Sequence, residues 1–216
     1  MKNRLTLKRQ YFDEQLQNIY LNLELLNNNN KIFVITSSRQ AEGKSYISYE
    51  LAKYIAGINK KILLIDADIR KSALTSTLEL SHTNGLINFL VGNKINIQNL
   101  TKNLDYISVG NSNTKFKLKL SEYSAQLARF FTEIKQLKDN YNFIFIDTPP
   151  VLLFNDSRVM ARYSDKVILI SKESKTLYKD LKKVTNILSK DSITIAGVIN
   201  NFASYDSRDI NDYSYY

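Results

Sequence analysis

The segment Ser38-Arg39-Gln40-Ala41-Glu42-Gly43-Lys44-Ser45 lies between an apolar run, Ile32-Phe33-Val34-Ile35, and a stretch from Tyr46 to Ala56 that reads as a helix. Strand, lysine-bearing loop and helix in that order restrict the fold sharply. The loop's successive backbone N–H groups point inward at the positive end of the helix and form a site for β-phosphate oxygens. Lys44 is placed to reach the β- and γ-phosphates as a compact positive charge, and Ser45 to offer its hydroxyl to Mg²⁺. Residues Ser38, Arg39, Gln40, Ala41, Glu42, Gly43, Lys44, Ser45 and Tyr46 are therefore the expected nucleotide-facing stretch. The loop is poor in glycine. Ser38 takes its opening position, and Ala41 stands where glycine would accept a positive φ without steric cost.

Two further segments point to the same place. Lys61 to Ile65 is an apolar strand running into Asp66 and Asp68, and the i, i+2 spacing puts both carboxylates on one side if the strand continues through them. Asn142 to Ile146 is a second apolar strand and delivers Asp147, followed by Thr148-Pro149-Pro150. A single aspartate at a strand end is commonly the cap of the next helix. Several such endings beside a lysine loop fit a ligand site better, because open parallel sheets bind ligands beyond the carboxyl ends of their strands. Strands are expected at 32–36, 61–66, 104–109, 142–147, 166–171 and 193–199. Longer helices are expected at 44–57, 121–139 and 176–189, with short ones within 72–91. The alternation predicts an α/β chain with one doubly wound, mainly parallel sheet flanked by helices. Its 216 residues suit a single such unit over 31–203, preceded by a helical segment and linker over 1–30 and followed by a tyrosine-rich tail over 204–216.

Together these motifs resemble those of the bacterial tyrosine kinases associated with capsule and exopolysaccharide assembly. The family's phosphate loop, S-x-x-P-G-E-G-K-S, corresponds to Ser37 to Ser45; its D-x-D-x-R to Asp66, Asp68 and Arg70; its D-T-P-P to Asp147 to Pro150; and its tyrosine-rich tail to Tyr205 to Tyr216. Gly197-Val198-Ile199-Asn200-Asn201 resembles the strand end that faces the adenine in the family. The resemblance implies a P-loop NTPase-type fold and an ATP- and Mg²⁺-dependent autokinase. It further implies that Lys44 and Ser45 handle phosphate and metal, that Asp66 is the base toward the acceptor tyrosine, and that Asp68 and Asp147 support the metal. Arg70 completes the catalytic motif and Asn201 faces the base of the nucleotide. Tyr205, Tyr213, Tyr215 and Tyr216 are the implied phosphoacceptors. Implied partners are a membrane polysaccharide co-polymerase that activates the kinase, a cognate tyrosine phosphatase and further copies of the chain, with no nucleic acid.

Two departures accompany the resemblance. Gln40-Ala41 replaces the family's Pro-Gly. The family's E-x-x-R-x-x-R helix, used for ring-like self-association, reads Glu14, Gln17 and Tyr20, keeping the glutamate without either arginine. Arg39 occupies the position of an extra lysine that marks partitioning and septum-positioning ATPases of the same superfamily; those ATPases, and a weakly catalytic nucleotide-sensing scaffold, are the alternative readings.

The remaining features set bounds. Phe12, Leu16, Ile19, Leu23 and Leu26 form one apolar helical stripe, expected to pack on the same domain, with docking to a partner subunit as the other reading. The absence of cysteine excludes disulfide and thiolate chemistry. No apolar run approaches the ~18 residues that span a bilayer, and no signal peptide is recognisable, which predicts a cytoplasmic protein. The net charge of +9 suits nucleic acid, an acidic membrane surface or an acidic partner. By resemblance the attachment is peripheral, at the inner face of the membrane. His82 and the lysines of 111–120 are read as surface features.

Overall fold

The computed structural model describes residues 2–26, 29–80, 84–110 and 120–203. The tail tyrosines, His82 and residues 111–119 lie outside the described residues. Helix α1 (Lys2–Leu25) precedes β1 (Ile32–Ser37), which feeds α2 (Lys44–Gly57); β2 (Ile62–Asp66) is followed by the short helices α3 (Ala73–Thr77) and α4 (Leu86–Leu90). Then come β3 (Gln98–Thr101), β4 (Leu104–Ile107), α5 (Ser124–Gln136), β5 (Phe143–Asp147), α6 (Asp156–Ala161), β6 (Lys166–Lys172), α7 (Tyr178–Lys190) and β7 (Ile195–Asn201). The sheet order is β3-β4-β2-β5-β1-β6-β7, and every neighbouring pair is parallel except β3 with β4.

The central strands are apolar at consecutive positions because both of their faces are covered. In β1, Ile32 and Val34 join the layer containing α4, α5 and α6, while Phe33 and Ile35 join the layer beneath α1 and α2. β5 repeats the division, Ile144 and Ile146 going one way and Phe143 and Phe145 the other. The stripe on α1 packs as expected on its own domain: Leu16 and Leu23 are buried with Leu51 and Ile55 of α2. Arg9 adds a salt bridge of 2.9 Å to Glu50. Tyr20, at the place of the second family arginine, sets its ring edge-on to Phe143 at 6.3 Å and so faces inward.

The differences from the sequence expectation are local. β3 has the sequence Gln-Asn-Leu-Thr, polar and four residues long. It has no strand signature and exists because the exposed edge of β4 offers backbone partners. The stretch 121–139 is three pieces, with a 3₁₀ turn over Leu120–Tyr123 before α5 and another over Lys138–Asn140 after it. β7 begins later than expected and runs through Asn201, which brings that side chain to the same edge as Ser37, Asp66 and Asp147.

Candidate active site

Four strand ends meet around the loop 38–43. Gly43 opens α2 with φ 87°, and a Cβ added there would lie 2.0 Å from Asn201 Nδ2, so both conformation and close approach demand glycine. Ala41 also has positive φ, at 62°, without that freedom. Glu42 braces the loop from inside. One of its carboxylate oxygens accepts the N–H of Arg39 at 2.8 Å, and the other accepts the hydroxyl of Thr176. Asn201 Nδ2 donates to the Glu42 carbonyl at 3.1 Å. Asn201 thus ties β7 to the phosphate loop.

Lys44 stands at the centre. Its residue is only 8 % exposed, and its ammonium lies 2.6 Å from Asp68 Oδ2 and 3.6 Å from Asp147 Oδ2. Burial by itself would lower the lysine's pKa, but Asp147 and Asp68 outweigh it and raise the value. Burial also pushes the Asp147 carboxyl up to about 7, against the pull of Lys44. Lys44 Nζ donates to the Ser45 hydroxyl at 3.1 Å.

The two carboxylates after β2 part company. The strand ends at Asp66, so the expected same-side alternation stops there. Asp66 turns inward: Oδ2 accepts the N–H and hydroxyl of Thr75 at 2.9 and 2.7 Å, and Oδ1 accepts the N–H of Asp68 at 3.0 Å. Burial raises its pKa, opposed by the bonds from Thr75. Asp68 instead lines the cleft, a cavity of about 160 Å³ bounded by the phosphate loop on one side and by Arg70, Lys71, Pro150 and Phe154 on the other. Arg70 donates to Asp156 through Nε and Nη2 at 2.7 and 3.2 Å. Sequence reading missed Thr75, Asp156, Phe154 and Thr176. Hydroxyls and aromatics at such spacings occur throughout the chain, and only the fold shows which of them reach the site.

Arg39 is held away from the cleft by a bidentate pair with Asp180 in the first turn of α7, at 2.7 and 3.1 Å. The guanidinium in turn holds the Asp180 carboxyl below its ordinary range.

Among the described residues no group of three or more histidine, cysteine or acidic side chains forms a ready metal cage. Mg²⁺ does not need one. It is characteristically held by one or two carboxylates, substrate phosphates and water. Asp147 Oδ2 is buried without a hydrogen-bond partner, and the Ser45 hydroxyl is close by, so the donors present fit such an ion.

A parallel sheet with a lysine loop at its carboxyl edge, flanked by helices and aspartates, defines a P-loop NTPase, a nucleotide-binding class. An AAA domain family model matches residues 30–195. The tyrosine-protein kinase CpsD of Streptococcus agalactiae is 30% identical over 209 residues, covering 94% of this chain and 89% of its own. The tyrosine-protein kinase Wzc of Salmonella typhimurium is 26% identical over 202 residues, and this chain spans 27% of its length. The solved kinase domain of the Escherichia coli tyrosine kinase ETK superposes with a TM-score of 0.77 at 25% identity, covering 90% of this chain and 78% of that one. The chain belongs to the bacterial tyrosine-protein kinases within the AAA domain family, and it is a protein-tyrosine kinase.

Proposed function

We propose that this kinase transfers the γ-phosphoryl group of ATP, with Mg²⁺, to tyrosines of its own C-terminal segment, and that it does so in the regulation of capsule or exopolysaccharide synthesis. The observation that carries the reading is the placement of Lys44 between Asp68 and Asp147 at the rim of a phosphate loop. A nucleotide's phosphates would compete with Asp68 for that lysine, releasing the carboxylate beside the γ-phosphate where an acceptor hydroxyl must arrive. Ser45 and Asp147 are the residues that would hold Mg²⁺, which would neutralise charge developing on the phosphates.

Resemblance gives the base role to Asp66. The geometry supports Asp68, because Asp66 has both oxygens engaged by Thr75 and Asp68 and lies behind the cleft. We assign proton acceptance to Asp68 and the holding of the turn to Asp66. The acceptors are Tyr205, Tyr213, Tyr215 and Tyr216. In-line attack from a neighbouring copy is easier than doubling back, so transfer is proposed to occur in trans. The activating partner would be a membrane polysaccharide co-polymerase, with a tyrosine phosphatase closing the cycle, at the inner face of the membrane. Among the described residues no helix is long and apolar enough to cross a bilayer.

The partitioning-ATPase reading is disfavoured by Arg39, whose charge is taken up by Asp180 of the same chain. Incubating the purified chain with ATP and Mg²⁺ and assaying phosphotyrosine against free phosphate tests the proposal. Phosphotyrosine is expected; free phosphate alone would favour the ATPase.

A further inference from the structure

The cleft has a wall that nucleotide binding does not explain. Opposite the phosphate loop stand Arg70, Lys71, Pro150 and Phe154, a basic and apolar surface beside Asp68. One carboxylate sets this wall in register with the reacting centre. Asp68 holds Lys44 through Oδ2 at 2.6 Å, while its Oδ1 accepts the backbone N–H groups of Arg70 at 3.2 Å and Lys71 at 3.0 Å. The charges of the wall are not equivalent. Arg70 is matched by the bidentate pair with Asp156, and its guanidinium lies 5.2 Å from the centre of the Phe154 ring, so it serves to stiffen the wall. Lys71 is exposed, and among the described residues no carboxylate pairs with it.

On the proposed reading, the group that must cross this wall is a tyrosine side chain of the C-terminal segment. That segment reads Ser204-Tyr205-Asp206-Ser207-Arg208-Asp209-Ile210-Asn211-Asp212-Tyr213-Ser214-Tyr215-Tyr216. Tyr205 is followed directly by Asp206, and Tyr213 is preceded directly by Asp212, whereas Tyr215 has Ser214 and Tyr216 as neighbours. We propose that Lys71 selects acceptor tyrosines with an adjacent aspartate, pairing with that carboxylate while the Phe154 ring flanks the incoming phenol. Lys71 is then a specificity-determining residue of the kinase, and Tyr205 and Tyr213 are modified ahead of Tyr215 and Tyr216. The inference rests on the assignment of the tail as substrate.

The test uses the full-length chain, ATP, Mg²⁺ and synthetic peptides spanning residues 204–216, in the native sequence and with Asp206, Asp209 and Asp212 each replaced by lysine. An exposed ion pair changes a rate by up to about fivefold, and exchanging attraction for repulsion roughly squares the effect, so kcat/KM should favour the native peptide by about two- to twenty-five-fold. Lys71→Glu should reverse that order, and Lys71→Arg should keep it. Mapping of early phosphorylation by mass spectrometry should find Tyr205 and Tyr213 first. Lys71→Glu slowing both peptides equally would overturn the inference, since it would show the lysine acting on nucleotide or fold. So would an unchanged preference. Phosphotyrosine absent from tail and peptides alike would instead overturn the assignment of the tail as substrate, and with it this inference.

Discussion

At the residue scale, Ala41 holds a backbone conformation that its Cβ resists. With φ at 62°, the left-handed region costs a non-glycine residue roughly 1 kcal/mol. Ala41→Gly removes the penalty but adds freedom to the unfolded chain, so a net gain of about 0.5 kcal/mol is expected, together with tighter nucleotide binding from a loop already shaped for phosphate. Calorimetric titration with a non-hydrolysable ATP analogue checks it; weaker binding would show that the methyl group itself shapes the loop. Lys44 is a second case. Phosphotyrosine formation should fall at least a hundredfold in Lys44→Met, since the charge acts on the transferring phosphate. The lysine is also buried between carboxylates, and its loss leaves Asp68 and Asp147 without a counter-charge, at a cost of about 3 kcal/mol. An unchanged denaturant midpoint would refute that part.

The division of roles between the two aspartates also belongs at this scale. Asp68→Asn should remove most phosphoryl transfer measured on the folded fraction, beyond the stability it loses with the Lys44 ion pair. Asp66→Asn should lower stability, through the bonds to Thr75, more than it lowers the rate measured on the folded fraction. Phosphotransfer lost in Asp66→Asn at full stability would return the base role to Asp66.

At the element scale, helices hold the site by ties that only folding brings together. The C-terminal end of α7 is clamped to α6 through Asp191, which accepts Arg158 Nε at 2.8 Å and Arg162 Nη2 at 3.2 Å. Arg158 chiefly, then Arg162, hold the Asp191 carboxyl below its ordinary range. A depressed carboxyl contributes stability above the unfolded-state pKa, about 3.9, and loses it as pH falls through the folded value. Asp191→Asn should therefore unfold at lower denaturant than the parent at pH 7, and the gap should narrow progressively as pH falls below about 3.9. A gap that does not narrow on acidification would mean that packing, and not charge, is what the substitution disturbs. On the other face, Leu16 is the most deeply buried of the described α1 side chains, and Leu16→Ala should cost about 2–4 kcal/mol.

For the whole molecule, the proposed transfer in trans requires one copy's tail to reach another copy's cleft. From Phe202 to Tyr216 the chain, fully extended, reaches roughly 50 Å, enough to enter a neighbour's site. Mixing active kinase with full-length Lys44→Met protein carrying a mass tag should put phosphate on the tagged tail in a concentration-dependent manner. A tagged tail that stays unmodified would exclude transfer between copies. Each phosphate adds close to two negative charges to a segment that already contains Asp206, Asp209 and Asp212, which should loosen its docking and release the tail once modified.

The features legible along the chain are those fixed by sequence neighbours. Apolar runs such as Ile32 to Ile35 and Phe143 to Ile146 read as strands covered on both faces, and the turn from Ser38 into Lys44 as lying at a strand's carboxyl end. Those facts gave the sheet, the phosphate loop and the aspartates at its rim. β3 escaped notice because its four residues carry no apolar pattern and pair only when β4 is already in place. Which groups meet was set only on folding. Lys44 chose Asp68, 24 positions away; Arg39 found Asp180, 141 away; and Asn201 closed on the Glu42 carbonyl, 159 away. Hydrogen bonds and ion pairs act over about 3 Å of space and carry no record in sequence separation, so the sheet order and the helix docking had to bring these partners together before the chemistry of the site was determined.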